Sequence, residues 1–324
     1  MIDKHQIAHT DLAVSRACMG TMTFGSQTDA SEAERIVDRC LAAGIDFFDT
    51  ANIYNQGRAE EVLGRALGRR RQDVVLASKA RGAMGDPVEY EGLSRAAIRR
   101  AIEESLRRLS TDWLDIYYLH QPDGQTPIEE TLEALEELRA EGKIRYPATS
   151  NYAAWQIGEM HAICEDEGWA RPWISQPMYN LLARGIEQEY LAFTARAGVT
   201  NVVYNPLAGG LLTGKQKKGA APQPATRFDG NQLYLDRYWH EPYFDAVAEL
   251  QEIAAAAGLT SVQLAFAWLL QQEQAHCIIL GASRLDQLEE NLAALEAPAL
   301  DAATLAACDR VWNRLRGPTP KYNR

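Results

Sequence analysis

Several things are scarce in this 324-residue chain, and each absence narrows what it can be. Its five cysteines, Cys18, Cys40, Cys164, Cys277 and Cys308, are scattered, odd in number and form no CxxC pair. That argues against a disulfide framework or a thiolate metal site, and for free thiols in a reducing compartment. No run of about 18 apolar residues occurs, so no membrane span is expected. The opening MIDKHQIAHTDLAV is polar and lacks the apolar core of a secretion signal, which makes a cytoplasmic location the expectation. Cations are outnumbered: 33 Lys and Arg stand against 44 Asp and Glu, a formal charge of −11. General affinity for nucleic acid or anionic membrane is therefore not expected, although a local basic pocket is compatible with that balance. GxGxxG between an early strand and helix is missing, which counts against an open dinucleotide-binding sheet. GGLLTGK (209–215) satisfies Gly-x4-Gly-Lys, but Gln216 stands where a triphosphate loop needs Ser or Thr for magnesium. A phosphate-contacting turn is the reading left there. No composition break or flexible linker divides the chain, and it reads as one domain, 1–324.

What the chain does have is alternation. Short β-branched or aromatic runs occur at 17–22, 46–51, 74–80, 114–120, 146–151, 174–179, 200–206 and 277–283. Most are uninterrupted apolar stretches, as expected of parallel strands covered on both faces. Helical patterns separate them. SEAERIVDRCLAAG carries a Ser cap with Glu34 three residues on and a closing glycine. SRAAIRRAIEESLRRLS, TPIEETLEALEELRAEGK and SVQLAFAWLLQQE place apolar residues at helical spacing. Strands and helices alternating every 30 residues or about that predict a closed (β/α)8 TIM barrel. HQIAHTDLAVS, ahead of the first strand, is expected to form a hairpin plugging the barrel floor. The irregular stretch 213–242 follows the seventh strand, where a barrel builds its site, and reads as a lid or substrate wall.

Under that fold, polar residues fall at strand ends. Asp49 ends the second strand, Lys79 the third and His120 the fourth, and Tyr54 follows in the second loop. Singly, each has a plain reading: a helix cap, a rim charge, a satisfied loop histidine. Together, acid, base, phenol and imidazole on adjacent strands make coherent chemistry. A buried Asp beside Lys offsets a desolvation neither tolerates alone. The ammonium favours phenolate and is expected to pull Tyr54 below the ordinary value of about 10. Such a tyrosine can protonate a developing alkoxide, with a neutral His120 holding the carbonyl oxygen. No side chain supplies hydride, so a nicotinamide cofactor is required.

GTMTFG, GIDFFDTANIYNQGRAEEVLGRAL, ASKA, YYLHQPD, TSNY, YNPLAGGLLTGK and GASRLDQLEENL, in this order and spacing, resemble the motifs of the aldo-keto reductase superfamily nearly end to end. QPMYNLLARGIEQE, RFDGNQLYLDRYWHEPYFDAV and the terminal KYNR are most similar to its aflatoxin-aldehyde and succinic-semialdehyde reductase branch. The resemblance implies Tyr54 as proton donor, with Asp49, Lys79 and His120 as its partners. It implies a dinucleotide extended across the barrel mouth, near Gly20, Thr21, Met22 and Asp49. Ser150, Asn151 and Gln176 would then hold the carboxamide, and Tyr204 would face the nicotinamide ring. Asn205, Pro206, Leu207, Gly209 and Gly210 would wrap the pyrophosphate, with Lys215 and Arg227 adding charge. Gly281 would also line the cofactor, Ser283, Arg284 and Gln287 would meet an adenosine 2′-phosphate, and Glu290 with Asn291 the adenine. Arg284 is assigned on charge alone, because many relatives carry another residue there. NADPH is accordingly expected over NADH.

For substrate, the branch implies small aldehydes, some bearing a carboxylate, met by Arg237 and Arg324. The alternatives for these two are a surface charge and a free tail. The insertion is shorter than in the branch, and PKYNR replaces a more aromatic ending. Trp113 and Trp239 are candidate apolar neighbours. A second reading is a cofactor-sensing, weakly catalytic regulatory subunit, since some barrels of the superfamily attach to membrane channels; those lack the fourth-strand histidine that this chain has. A small carbonyl compound is the expected partner, with no nucleic acid, membrane or metal, in a monomer or homodimer.

Overall fold

The computed structural model describes residues 2–85 and 89–318. Two short strands, β1 (Lys4–Gln6) and β2 (Ala13–Ser15), pair antiparallel as a hairpin. Eight parallel strands follow: β3 (Ala17–Gly20), β4 (Phe47–Asp49), β5 (Val75–Ala80), β6 (Leu114–Leu119), β7 (Ile144–Ser150), β8 (Ile174–Gln176), β9 (Thr200–Val203) and β10 (Cys277–Gly281). They close in the order β10-β3-β4-β5-β6-β7-β8-β9. Seven of the eight predicted runs contain their strand; β7 begins two residues ahead of its run, at Ile144.

The helices are α1 (Ala30–Ala43), α2 (Arg58–Leu67), α3 (Arg95–Leu109), α4 (Ile128–Ala140), α5 (Ala154–Glu167), α6 (Tyr190–Ala197), α7 (Gln232–Tyr238), α8 (Glu241–Ala256), α9 (Ser261–Leu270), α10 (Leu285–Leu295) and α11 (Ala302–Arg316). Helix α1 corrects one detail of the sequence reading. Its cap is Asp29, whose carboxylate accepts from the Glu32 amide at 2.9 Å, and Ser31 lies inside the first turn. Asp29 and Ser31 both suit a cap, and the chain uses the earlier. Gly44, at φ 87°, closes the helix as expected.

Two apolar layers result. One lies between barrel and helices. The other fills the barrel, where Phe47, Ala77, Ile116 and Ile174 pack with Ile7, Leu12 and Val14 of the hairpin. Burying those three side chains contributes roughly 1.5–3 kcal/mol each and seals the floor. The open end is therefore the C-terminal one. Over it lies the long connection after β9, which carries a 3-10 turn at Ala208–Thr213 and the short helix α7.

Candidate active site

Strand periodicity builds the site. Side chains alternate along a strand, so every second residue points into the barrel. Cys18, Phe47, Ala77, Ile116, Ala148, Ile174, Val202 and Cys277 belong to the interior core. Two residues further along, the inward positions are Gly20, Asp49, Lys79, Tyr118, Ser150, Gln176, Tyr204 and Ile279. His120 and Gly281 come one step later. The apolar core thus gives way at one level to polar groups from β4 round to β9, with Gly20 and Ile279 completing the ring. Gly20, Asp49, His120, Ser150, Gln176, Tyr204 and Gly281 line a cavity of about 570 Å³ at the mouth, together with Tyr54.

Lys79 is completely buried. Its ammonium forms a short ion pair with Asp49, donates to the Thr50 carbonyl at 2.8 Å and donates to the Tyr54 hydroxyl at 3.3 Å. The second Asp49 oxygen accepts from Gln176 Nε2 at 2.9 Å. The Tyr54 ring stands edge-on to His120, with centroids 5.8 Å apart and planes at 80°. Tyr54 reaches this position through a loop in which Asn55 and Gln56 both adopt left-handed backbone, at φ 52° and 54°. Asn55 holds that loop: its side-chain amide donates to the carbonyls of Met22 at 3.1 Å and Phe24 at 2.7 Å. Those bonds tie the loop after β4 to the loop after β3 and offset backbone strain on the order of 1–3 kcal/mol per residue.

The electrostatics correct one expectation. Burial pushes the Tyr54 phenol up; Lys79 pulls it down, and burial prevails, so it titrates above its ordinary value. The phenol is therefore a proton-loaded acid at neutral pH, with a cation ready to receive the charge it would leave. Burial works against the Lys79 ammonium, but Asp49 and Tyr54 together outweigh it and raise its pKa. His120 is pushed down to about 3 by burial, assisted by the positive charges of Lys79 and Arg81. Its imidazole is neutral at any ordinary pH.

A second groove of about 230 Å³ continues from the first, sharing Thr23, Asn205, Pro206, Arg227, Gly281 and Ala282 with it. Leu207, Gly209, Gly210, Lys215, Ser283, Gln287, Glu290 and Asn291 line it. A Cβ built on Gly210 or Gly281 meets no protein atom within 4 Å, so a side chain there would occupy the groove itself. Gly209 and Gly210 also adopt positive φ, at 68° and 98°. Mouth and groove together form one extended trough, apolar and aromatic at the barrel and rich in backbone polar groups beyond it. This fits a long, anionic, flexible molecule with a flat head.

The chain's residues 16–313 match the model of the aldo/keto reductase family. It belongs to that family. It is 38% identical over 323 residues to the mouse aflatoxin B1 aldehyde reductase member 2, a match covering 94% of this chain and 87% of that one. It is 37% identical to a probable voltage-gated potassium channel subunit beta of Arabidopsis thaliana, over 90% of both chains. Among solved structures it resembles an aldo-keto reductase from Bacillus halodurans in its holo form, at 32% identity and a TM-score of 0.77, covering 96% of each chain. These likenesses support an oxidoreductase of the aldo-keto reductase type acting on a small molecule.

For this aldo-keto reductase, the structure brings Tyr54, Asp49, Lys79 and His120 together at the mouth. The residues expected around a dinucleotide fall along the trough, with one exception. Arg284 lies outside the lining, exposed, its guanidinium 3.1 and 3.2 Å from the Asp286 carboxylate. Ser283 is held by Gln287, whose Oε1 accepts from its amide and hydroxyl at 2.8 and 3.0 Å. Lys215 reaches towards Glu290 at 3.7 Å. The polar groups under Tyr204 bond one another: Tyr204 donates to Asn151 Oδ1 at 2.7 Å, and Asn151 donates to the His120 carbonyl at 2.9 Å and Ser150 Oγ at 3.0 Å. Arg237 lines the mouth from α7, 5.5 Å from the centre of the Tyr234 ring. Arg324 falls outside the described residues. Neither candidate tryptophan lines the mouth. Trp113 lies beneath Arg71 by the floor, at 4.5 Å, and Trp239 packs on Phe228 and Phe244.

Sequence reasoning missed Asn55 and Arg81. The signal for Arg81 was present: the inward series 77, 79 of β5 continues to 81. Nothing local marked Asn55, because its partners come from a loop about 30 residues away.

Proposed function

We propose that this protein reduces small aldehydes to alcohols with NADPH, Tyr54 giving the proton. When bound, the nicotinamide cofactor supplies the hydride to the carbonyl carbon. Tyr204 would offer it an apolar face, and Ser150, Asn151 and Gln176 the polar contacts that fix which side of the ring meets the substrate. The carbonyl oxygen sits against Tyr54 and His120. Neutral His120 donates a hydrogen bond that polarises the carbonyl without competing as the acid. As negative charge grows on that oxygen, the Tyr54 hydroxyl gives up its proton, and Lys79 stabilises the phenolate that remains. Asp49 keeps Lys79 charged inside the barrel. One observation carries this reading: the Tyr54 hydroxyl lies 3.3 Å from an ammonium that is itself paired with a carboxylate, beside a neutral imidazole.

Carboxylate-bearing aldehydes such as succinic semialdehyde suit the mouth, because the Arg237 guanidinium lines it and has no ion-pair partner among the described residues. NADPH is preferred over NADH on the cationic character of Lys215, Arg227 and the neighbourhood of Ser283. The test is a panel of aldehydes and ketones with both cofactors, on wild type and Tyr54→Phe. Turnover should fall by roughly 10²–10⁴-fold in the variant with NADPH binding retained. A variant as active as wild type would remove Tyr54 from the chemistry.

A further inference from the structure

Arg81 follows the end of β5 and lines the mouth cavity with Ile53, Gly82 and His120. Four observations set it apart. Its backbone is at φ 110°, a region that L side chains rarely adopt. The chain is committed there by Gly82, where a Cβ would come within 2.5 Å of the Ile53 Cβ in the Tyr54 loop. Its Nε is buried with no hydrogen-bond partner, and no carboxylate forms an ion pair with it among the described residues. The neighbouring acid feels the Arg81 charge but makes no ion pair with it: Asp123 is hydrogen-bonded instead by the Leu93 and Gln125 amides at 2.8 and 2.9 Å and by the Thr126 hydroxyl at 2.8 Å.

An arginine left unpaired in a chain of net charge −11, strained and facing a cavity, is unusual. Unpaired buried donors are costly, and strain persists at positions where a ligand uses it. Around the mouth, the Lys79 charge is cancelled by Asp49, and Arg227 faces the groove as well as the mouth. The positive charges left for a substrate are Arg81 and Arg237. Arg81 extends from the end of β5 and Arg237 from α7, in the long connection after β9. Arg81 does not line the second groove, so it stands at the substrate end of the trough.

We propose that Arg81 is a specificity-determining residue that receives an anionic group of the carbonyl substrate, at a point of the mouth supplied by a different element from Arg237. This rests on the reductase reading given above. Its planar guanidinium would pair with a carboxylate through the terminal nitrogens. The substrates best served are then acidic carbonyl compounds whose carboxylate lies on the β5 side of the reacting carbon.

The test compares 4-carboxybenzaldehyde with 4-nitrobenzaldehyde, matched in shape and different in charge, on the full chain with NADPH. Variants are Arg81→Gln, Arg81→Lys and Arg81→Gly, the last suited to the positive φ should glutamine not be tolerated. The ratio of kcat/KM for the acid to that for the nitro compound should fall at least tenfold in the Gln and Gly variants, through KM. Lysine should recover part of it. Equal losses on both aldehydes would overturn the proposal, since they would mean Arg81 acts only through His120 or the Tyr54 loop. Should wild type turn over neither aldehyde, the reductase reading fails, and calorimetric titration of succinate decides for Arg81 separately. Binding at least tenfold weaker in Arg81→Gln supports the anion site, and equal or undetectable binding in both proteins overturns it.

Discussion

Lys79→Met separates the role of the ammonium from that of the phenol. The Lys79 nitrogen lies 3.3 Å from the Tyr54 oxygen. At an effective dielectric near 20, a phenolate there gains about 5 kcal/mol from the positive charge. Burial takes that gain back, which is why the phenol titrates high despite its neighbour. Without the lysine, the burial cost and the repulsion of the Asp49 carboxylate remain, and the donor becomes a much weaker acid. If the proton is about half transferred in the transition state, about half of that energy, roughly 2.5 kcal/mol, is lost there, a drop on the order of 10²-fold in kcat. The fold pays as well: removing one partner of a buried pair costs roughly 3–5 kcal/mol, so melting and cofactor binding must accompany the kinetics. The assay is NADPH consumption under saturating aldehyde. Lys79→Met added to Tyr54→Phe should cost little more than Tyr54→Phe alone, because both act on one proton. A folded Lys79→Met variant within threefold of wild type, or full additivity in the double variant, would refute this reasoning.

Other consequences follow from the same geometry. His120 is neutral down to about pH 3 in the folded chain, against 6.5 for the ordinary imidazole. The unfolded chain therefore takes up a proton first as pH falls through that window, and stability falls with it by about 1.4 kcal/mol per unit. Urea unfolding at pH 7 and pH 5 should show a smaller acid loss for His120→Asn than for wild type, and the same loss in both would contradict it. For the same reason kcat/KM should show no inflection near 6.5. Arg237→Ala should raise KM for succinic semialdehyde at least tenfold more than for an uncharged aldehyde of similar size; equal rises would mean that it does not meet the carboxylate. Among the described residues Arg284 pairs with exposed Asp286 alone, a solvent-screened attachment that leaves it free to swing towards a 2′-phosphate. Arg284→Ala should accordingly lower the preference for NADPH over NADH about tenfold, and an unchanged ratio would place it outside the cofactor site.

Much of the architecture was legible in one dimension, because its cause is local. Apolar runs about 30 residues apart, broken by helical patterns, can bury themselves as a closed parallel barrel, and a strand formed at each of the eight runs, β7 alone starting ahead of its run. The gathering of Asp49, Tyr54, Lys79 and His120 at the mouth was legible too: each has a plain reading alone, but four at adjacent strand ends point to one place. The cap of α1 was misread because Asp29 and Ser31 compete on equal terms, and only backbone geometry chooses. The sign of the Tyr54 shift needed three dimensions, since it is a balance between desolvation and a 3.3 Å contact, and the amount of burial is invisible in a string. Tertiary structure alone also removed Trp113 to the floor, turned Arg284 onto Asp286, anchored the Tyr54 loop through Asn55 and left Arg81 unpaired at the cavity. Sequence settles which chemical groups stand at each strand end, because periodicity does so; which of them find partners across the barrel depends on distances between residues remote in the chain.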